Sequence, residues 1–578
     1  MNLISQKPAV SFLPLLLLLN PSCRVIPRGV PGAGYAVIRV QNGVSLGAET
    51  KRILAYQDPN PKPPVVRPSP PLDKTHPIID KWIKDPSIPD GQQEEVLIGF
   101  LPLKEPADSK TYMSSLEQEL ERLGGQYIRR YDSIYTFGLK LPVGALRGGL
   151  SGDKRVRYIE PKRVRLSLDM IPAQGAPGSA CKGLDGYSSP ASSVEKIQDL
   201  AIRTGLNSFT TPVGATIALL DSGVGRHRLL PEPQVVRHDC LNPPCIAGGT
   251  DGCANHGTPD TGILIATGSG LQPQGVLQGA TVHSFKVFDQ AGSAGSCSAD
   301  GDSAATVEAL TSGIGAVSPP VDVVLTETLI PGAANSNVSM AVDSAFEAGY
   351  PVIVAANPTL TLLSPANAHK GFPISSAAQS FSFATDGRFV PAVWADSGSE
   401  TLSGSSSNLC KHDGASGAAP YAAAVAVKLR HLLRSAGQPD APGNVYALML
   451  ALSKSDLFFS RLLYLPASGQ YYTGSFDIAH GGEAYATVNV AAGHKLRAAI
   501  WWPESAATDA GSEVHNEIYL EIGKPDGLST GKAAEKNSVF QYRSVELTIP
   551  SGDWIIKVTG ANVVAGPQHV YWAAFTGP

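Results

Sequence analysis

Between about Ala173 and Leu457 the chain alternates short, continuously apolar runs with stretches of helical periodicity, and no other feature restricts its fold as much. The runs are ATIALLD, ATVHSFKVFD, VDVVLTE and YPVIVAAN; between and after them come ADGDSAATVEALTSGIGAV, VSMAVDSAFEAG and AAPYAAAVAVKLRHLLRSAG. A strand with apolar residues on both faces has to be covered on both, and intervening helices supply the crossovers that parallel pairing needs. Residues 171–457 are therefore expected to form an α/β domain, a parallel sheet with helices on both faces.

At 578 residues the chain is too long for one hydrophobic core, and its flanks change character. The stretch 23–93 is expected to be linker, because from Asp58 to Pro89 it is dense in proline, which excludes helix and central strand. Over 94–170 the pattern is that of a small α+β domain. EEVLIGFL reads as a strand, SSLEQELERLGG as an amphipathic helix stopped by glycine, and YTFGLKL and VRYIEP as further strands. Over 468–578, short strands punctuated by glycine and proline follow one another without a helix, as in a β-sandwich or jelly roll.

Lys7 and the apolar run Phe12–Leu19 resemble the core of a signal peptide over 1–22, too short to span a bilayer, and predict export; no other segment reads as transmembrane. Cys23 follows in a context only loosely like a lipoprotein cleavage box, so periplasmic retention or a lipid anchor is the lesser expectation. The other six cysteines, 181, 240, 245, 253, 297 and 410, predict disulfides in an exported protein, with 15 connectivities open. The rival is a metal site from Cys240, Cys245, Cys253, His238 and His256, whose spacing fits no common zinc pattern. A net charge of −4, from 46 basic and 50 acidic residues, gives no stripe for nucleic acid.

Four residues stand where chemistry is placed in such folds. Asp221 ends the run ATIALLD, at the carboxyl edge of the sheet; alone it reads equally well as a turn-former. His256, in NHGTP, precedes an apolar stretch and stands at a helix start. Ser416, in DGASGAAPYAAA, sits among small residues that admit a substrate backbone and lead into a helix whose amino end favours a developing oxyanion. Asn357 ends YPVIVAAN and offers a side-chain amide as a second oxyanion donor. Each has an ordinary structural explanation. The ordered set Asp, His, Ser is one of the sequence orders in which a hydrolytic triad occurs.

ALLDSGV, NHGTPDTG, VIVAAN and DGASGAAPYAAA resemble the four signature segments of the subtilisin-like serine peptidases, the subtilases. FKVFDQAGSAGSCS is similar to the family segment that lies along bound substrate. LERLGGQYIRRYDSIYTFGLKLP with VRYIEPKRV is similar to the family's inhibitor propeptides, and the last hundred or so residues resemble a β-domain attached to some bacterial alkaline subtilases. The resemblance implies a secreted serine endopeptidase with Asp221, His256 and Ser416 as triad and Asn357 as oxyanion donor. It further implies an autoprocessed zymogen matured after Leu168, with peptide substrates and its own propeptide as partners. The chemistry needs no cofactor; structural calcium is frequent in the family, but no acidic loop here has regular ligand spacing, so none is assigned.

Ala415, Pro259 and Ala356 depart from the family pattern without removing a reacting group. VLTETLIPG replaces the usual wall of the primary specificity pocket with bulkier residues, so a narrowed pocket preferring small side chains is expected. Two alternatives are an inactive subtilase homologue that binds peptides and a surface protein whose C-terminal domain mediates adhesion or carbohydrate binding.

Overall fold

The computed structural model describes residues 30–41, 44–57, 74–103, 108–165, 181–183, 195–248, 256–270, 272–291, 298–356, 363–376, 382–383, 389–390, 392–403, 409–456, 460–463, 468–504, 516–524, 542–564 and 566–578. The expected leader 1–22, Cys23, Leu168 and Asn357 lie outside these.

The α/β region builds a ten-stranded sheet in the order Ile246–Ala247, Val235–Asp239, Thr281–Lys286, Thr216–Asp221, Val323–Thr326, Val352–Ala355, Phe372–Ser376, Val393–Ala395, Ser460–Leu463 and Ser453–Asp456. The inner pairings are parallel and the two edge strands antiparallel. Strand Thr216–Asp221 shows why its sequence has no polar face. Ile217 and Leu219 enter one core, with the helices Gly414–Ser435 and Pro442–Leu452, while Ala218 and Leu220 enter a second core with the helix Asn337–Glu347. All four are fully buried. Complete burial of each larger aliphatic side chain contributes about 1.5–3 kcal/mol, so both helical layers are needed to hold the strand. The chain leaves Thr216–Asp221 toward one edge and, after Thr281–Lys286, crosses to Val323–Thr326 on its other side. Asp221 thus ends a strand at the switch in strand order, where such sheets open a crevice.

The amino-terminal α+β unit is a four-stranded antiparallel sheet in the order Gln126–Tyr131, Thr136–Pro142, Gln93–Phe100 and Val156–Pro161. On it packs helix Ser109–Arg122, burying Met113, Leu116 and Leu120, one stripe at helical spacing. Its last turn gives way to Gly124 at φ 91°. The unit begins earlier than expected. Helix Pro77–Lys84, placed in the proline-rich linker by composition, buries Ile79 in the same core. A proline at its first position is no obstacle to a helix, and the His76 ring accepts the Ile78 N–H.

A second correction concerns residues 30–57. They form two strands, Val30–Gln41 and Val44–Gln57, rather than linker, and pair between Ser468–Ile478 and Gly482–Val490 of the C-terminal region. The result is one nine-stranded antiparallel sheet. One face encloses Tyr472, Val488, Ile500, Trp502 and Trp572; from the other, Trp501 and Phe575 join the core that holds helix Pro442–Leu452. Cys240 and Cys245 form a disulfide, which removes two thiolates from the alternative metal site. No helix among the described residues is long and apolar enough to cross a membrane.

Candidate active site

Asp221 is fully buried, and its Oδ2 lies 2.8 Å from Nδ1 of His256. The Ser222 N–H donates to Oδ1 of the same carboxylate. Burial, the largest influence on Asp221, would raise its pKa. The His256 charge and the hydrogen bonds from His256 and the Ser222 N–H are chief among the influences that outweigh burial and hold it below the ordinary value. Asp221 is therefore an anion, and its bond to Nδ1 fixes the orientation of the imidazole.

His256 immediately precedes helix Gly257–Ile265, whose first N–H groups need acceptors. The Ser222 hydroxyl supplies one, accepting from His256 N at 3.3 Å and Gly257 N at 3.1 Å. Residue 257 has to be glycine: a Cβ there would stand 2.3 Å from the Gly223 carbonyl oxygen and 3.3 Å from the Asp221 Cβ. That close approach brings the imidazole onto the strand end.

Ser416 is the third residue of helix Gly414–Ser435 and is half-buried. The chain enters the helix through Gly414 at φ 76°, a conformation that favours glycine. A Cβ on Gly417 would meet the His412 carbonyl oxygen at 2.3 Å. The small residues around the serine therefore let the incoming strand and the helix's first turn pack together. First-turn N–H groups lack intrahelical partners, so the Ser416 N–H is available to an oxyanion, and the helix dipole favours negative charge there.

Three residues that sequence reasoning passed over share this crevice. Asp260, four residues after His256 and fully buried, approaches His256 Nδ1 at 3.6 Å and bonds His412 Nε2 at 2.6 Å. The His412 ring packs edge-on against that of His256, with centroids 5.4 Å apart. Glu327, first residue after strand Val323–Thr326, is 4% exposed, and its N–H donates to Leu220 O beside Asp221. Its carboxyl oxygens make no hydrogen bond of ordinary geometry. Burial first, and then the charges of Asp260 and Asp221, push Glu327 well above the usual carboxylate range; the Ser416 hydroxyl offsets this only in part. Glu327 therefore holds its proton to a higher pH than an ordinary carboxyl does, beside the Asp260 and Asp221 carboxylates and Ser416. In the sequence, the segment VLTETLIPG around Glu327 signals only added bulk. Asp260 was legible as a position one helical turn from His256, on the same face.

No protein-family model matches the sequence, and no curated protein matches it. Solved structures similar to part of the chain are subtilisin-like serine proteases. Proteases from Pseudoalteromonas arctica are 21% identical over 44% of this chain and 87% of that one, with a TM-score of 0.35. A cold adapted subtilisin-like serine proteinase is 18% identical over 44% of this chain and 90% of its own, TM-score 0.34. Sphericase is 17% identical over 42% and 84%, TM-score 0.35.

The donor atoms of Asp221, His256 and Asp260 lie within 4.8 Å of one another, the one such trio among the described residues. Within it Asp221 and His256 already hydrogen-bond each other. The amino-terminal unit abuts the same domain. Arg129 makes two bonds of 2.8 and 2.6 Å to Glu308, and Arg157 Nη2 donates to Asn337 Oδ1 at 2.8 Å. Strand Arg163–Arg165 pairs antiparallel with Asp300–Asp302 of strand Ser298–Asp302, immediately after the stretch that the family resemblance assigns to bound substrate.

Proposed function

We propose that the chain is a secreted serine endopeptidase made as a zymogen. The observation that carries this reading is the buried Asp221 carboxylate bonded at 2.8 Å to His256 Nδ1, with the helix that His256 begins packed against the helix that carries Ser416 in its first turn. Ser416 Oγ attacks the peptide carbonyl as His256 Nε2 takes its proton. The imidazolium, balanced by Asp221, then protonates the leaving amine, and water repeats the sequence on the acyl-enzyme. The Ser416 N–H and the Asn357 amide bind the oxyanion. No cofactor enters these steps.

The amino-terminal unit, from helix Pro77–Lys84 to strand Arg163–Arg165, acts as propeptide and inhibitor. Its last described strand, Arg163–Arg165, lies along Ser298–Asp302 as a product would, and cleavage after Leu168 would leave it there. Thr326, Glu327 and Thr328 are all buried, consistent with a primary pocket that prefers small side chains; robust cleavage after Phe or Leu in a peptide library would remove that preference. The test of the main reading is wild type beside Ser416→Ala, following precursor mass and casein hydrolysis. Wild type should shorten to a product starting after about Leu168 and digest casein while the variant stays intact. A wild type that does neither would leave a peptide-binding homologue as the better account.

A further inference from the structure

We propose that the Asp260–His412 pair is a positioning strut that keeps the base His256 in register with the nucleophile Ser416, a role that rests on the peptidase reading above. Asp260 stands one turn along the helix that His256 begins. His412 stands four residues before Ser416, at the end of strand Leu409–His412, from which the chain turns through Asp413 and Gly414 into the nucleophile helix. The 2.6 Å bond from His412 Nε2 to Asp260 Oδ1 therefore ties the base-bearing helix to the nucleophile-bearing segment at points equally far along the chain from the two reacting groups.

Both members are fully buried. A buried charged or polar pair is seldom worth more to stability than an apolar pair of the same volume, so packing alone gives no reason for this one. The pair's geometry does more than fill space. Asp260 Oδ2 reaches within 3.6 Å of His256 Nδ1, and the His412 ring edge supports the His256 ring at 5.4 Å. Neighbouring contacts tie the base-bearing helix to strand Ser399–Leu402, the antiparallel partner of Leu409–His412. A Cβ on Gly262 would stand 2.5 Å from Thr401 Oγ1, and the Thr401 hydroxyl donates to Pro259 O at 2.8 Å. The strut also presents a second carboxylate to the imidazole, favouring its protonated form as it accepts the Ser416 proton.

The other titratable groups on elements packed around His256 are Asp221, Glu327, Glu400 of strand Ser399–Leu402, and His283 and Lys286 of strand Thr281–Lys286. Lys411 and Asp413, in the segment entering the nucleophile helix, pair with each other at 3.1 Å. Asp260 is the member of this set whose charge can be removed while its bond to His412 is kept.

The test measures kcat and KM of the full chain on a chromogenic peptide from pH 5 to 10, for wild type, His412→Phe, His412→Gln and Asp260→Asn, each checked for fold by circular dichroism and thermal midpoint. His412→Phe should lose about 10–100-fold in kcat with KM within about threefold, as expected when an outer partner of a reacting group is removed. His412→Gln, which still offers an N–H, should recover most of that loss. Asp260→Asn keeps the acceptor oxygen and should retain most of kcat, but its acid limb should move down by about one pH unit because a negative charge near the imidazole is gone. A folded His412→Phe with wild-type kcat, together with an unmoved acid limb in Asp260→Asn, would overturn the strut. If His412→Phe does not fold, the Gln and Asn variants decide. A wild type that neither cleaves peptide nor reacts with phenylmethylsulfonyl fluoride at Ser416 would instead remove the peptidase reading, and the strut with it.

Discussion

Replacing Glu160 by Gln should make docking of the amino-terminal unit insensitive to pH. Glu160, in strand Val156–Pro161, is fully buried against the amino end of helix Asn337–Glu347. Burial is the main cause that raises its pKa from 4.5 to about 8; Asn337, the Arg157 charge and the Asn337 and Val338 N–H groups pull the other way without prevailing. An undocked or unfolded unit releases this proton near pH 4.5, whereas the docked one holds it to about pH 8. The docked state is therefore favoured in full below pH 4.5, and that contribution is lost as pH rises to about 8. A gap of about 3.5 pH units, at about 1.36 kcal/mol each, comes to about 5 kcal/mol. Half of that would move the midpoint of a unit this size by about 10 °C or more. The assay is thermal unfolding of the Ser416→Ala precursor from pH 4 to 9, with hydrogen exchange at Val96–Ile98 reporting on the unit itself. Wild type should lose protection steadily across this range while Glu160→Gln stays level and exceeds it at pH 8. Parallel curves for the two would refute the assignment of the pH dependence to this carboxyl.

Two further outcomes follow from the crevice. Glu327→Gln should keep its activity to higher pH than wild type, because ionisation of the raised Glu327 carboxyl sets a further negative charge beside Asp221 and Asp260; pH–rate profiles that coincide throughout would contradict this. Gly257→Ala should cost about 1–3 kcal/mol in stability and most of the activity, since its Cβ would meet the Gly223 oxygen at 2.3 Å and push His256 off the strand end; differential scanning calorimetry and peptide hydrolysis read the two effects.

Local pattern was sufficient for Thr216–Asp221, where burial on both faces leaves a run of apolar residues, and for helix Ser109–Arg122, whose stripe has helical spacing. It failed for residues 30–57 because the strands that flank them lie over 400 residues away, as at Ala36 opposite Thr473, and no local signal specifies such a pairing. Helix Pro77–Lys84 was hidden by the prolines around it. Asp221, His256 and Ser416 stand out as candidates in the sequence because each lies at an element boundary within a known order. Asp260 was legible only as a position one helical turn from His256, and His412 and Glu327 look ordinary until the fold sets them near the imidazole and Ser416.

The most direct measurement is mass mapping of the adduct formed when the matured wild-type protein is treated with a biotinylated fluorophosphonate. A single modification at Ser416, abolished in His256→Ala and strongly slowed in Asp221→Asn, is what the account predicts. Labelling elsewhere, or labelling at Ser416 that ignores both substitutions, would contradict it.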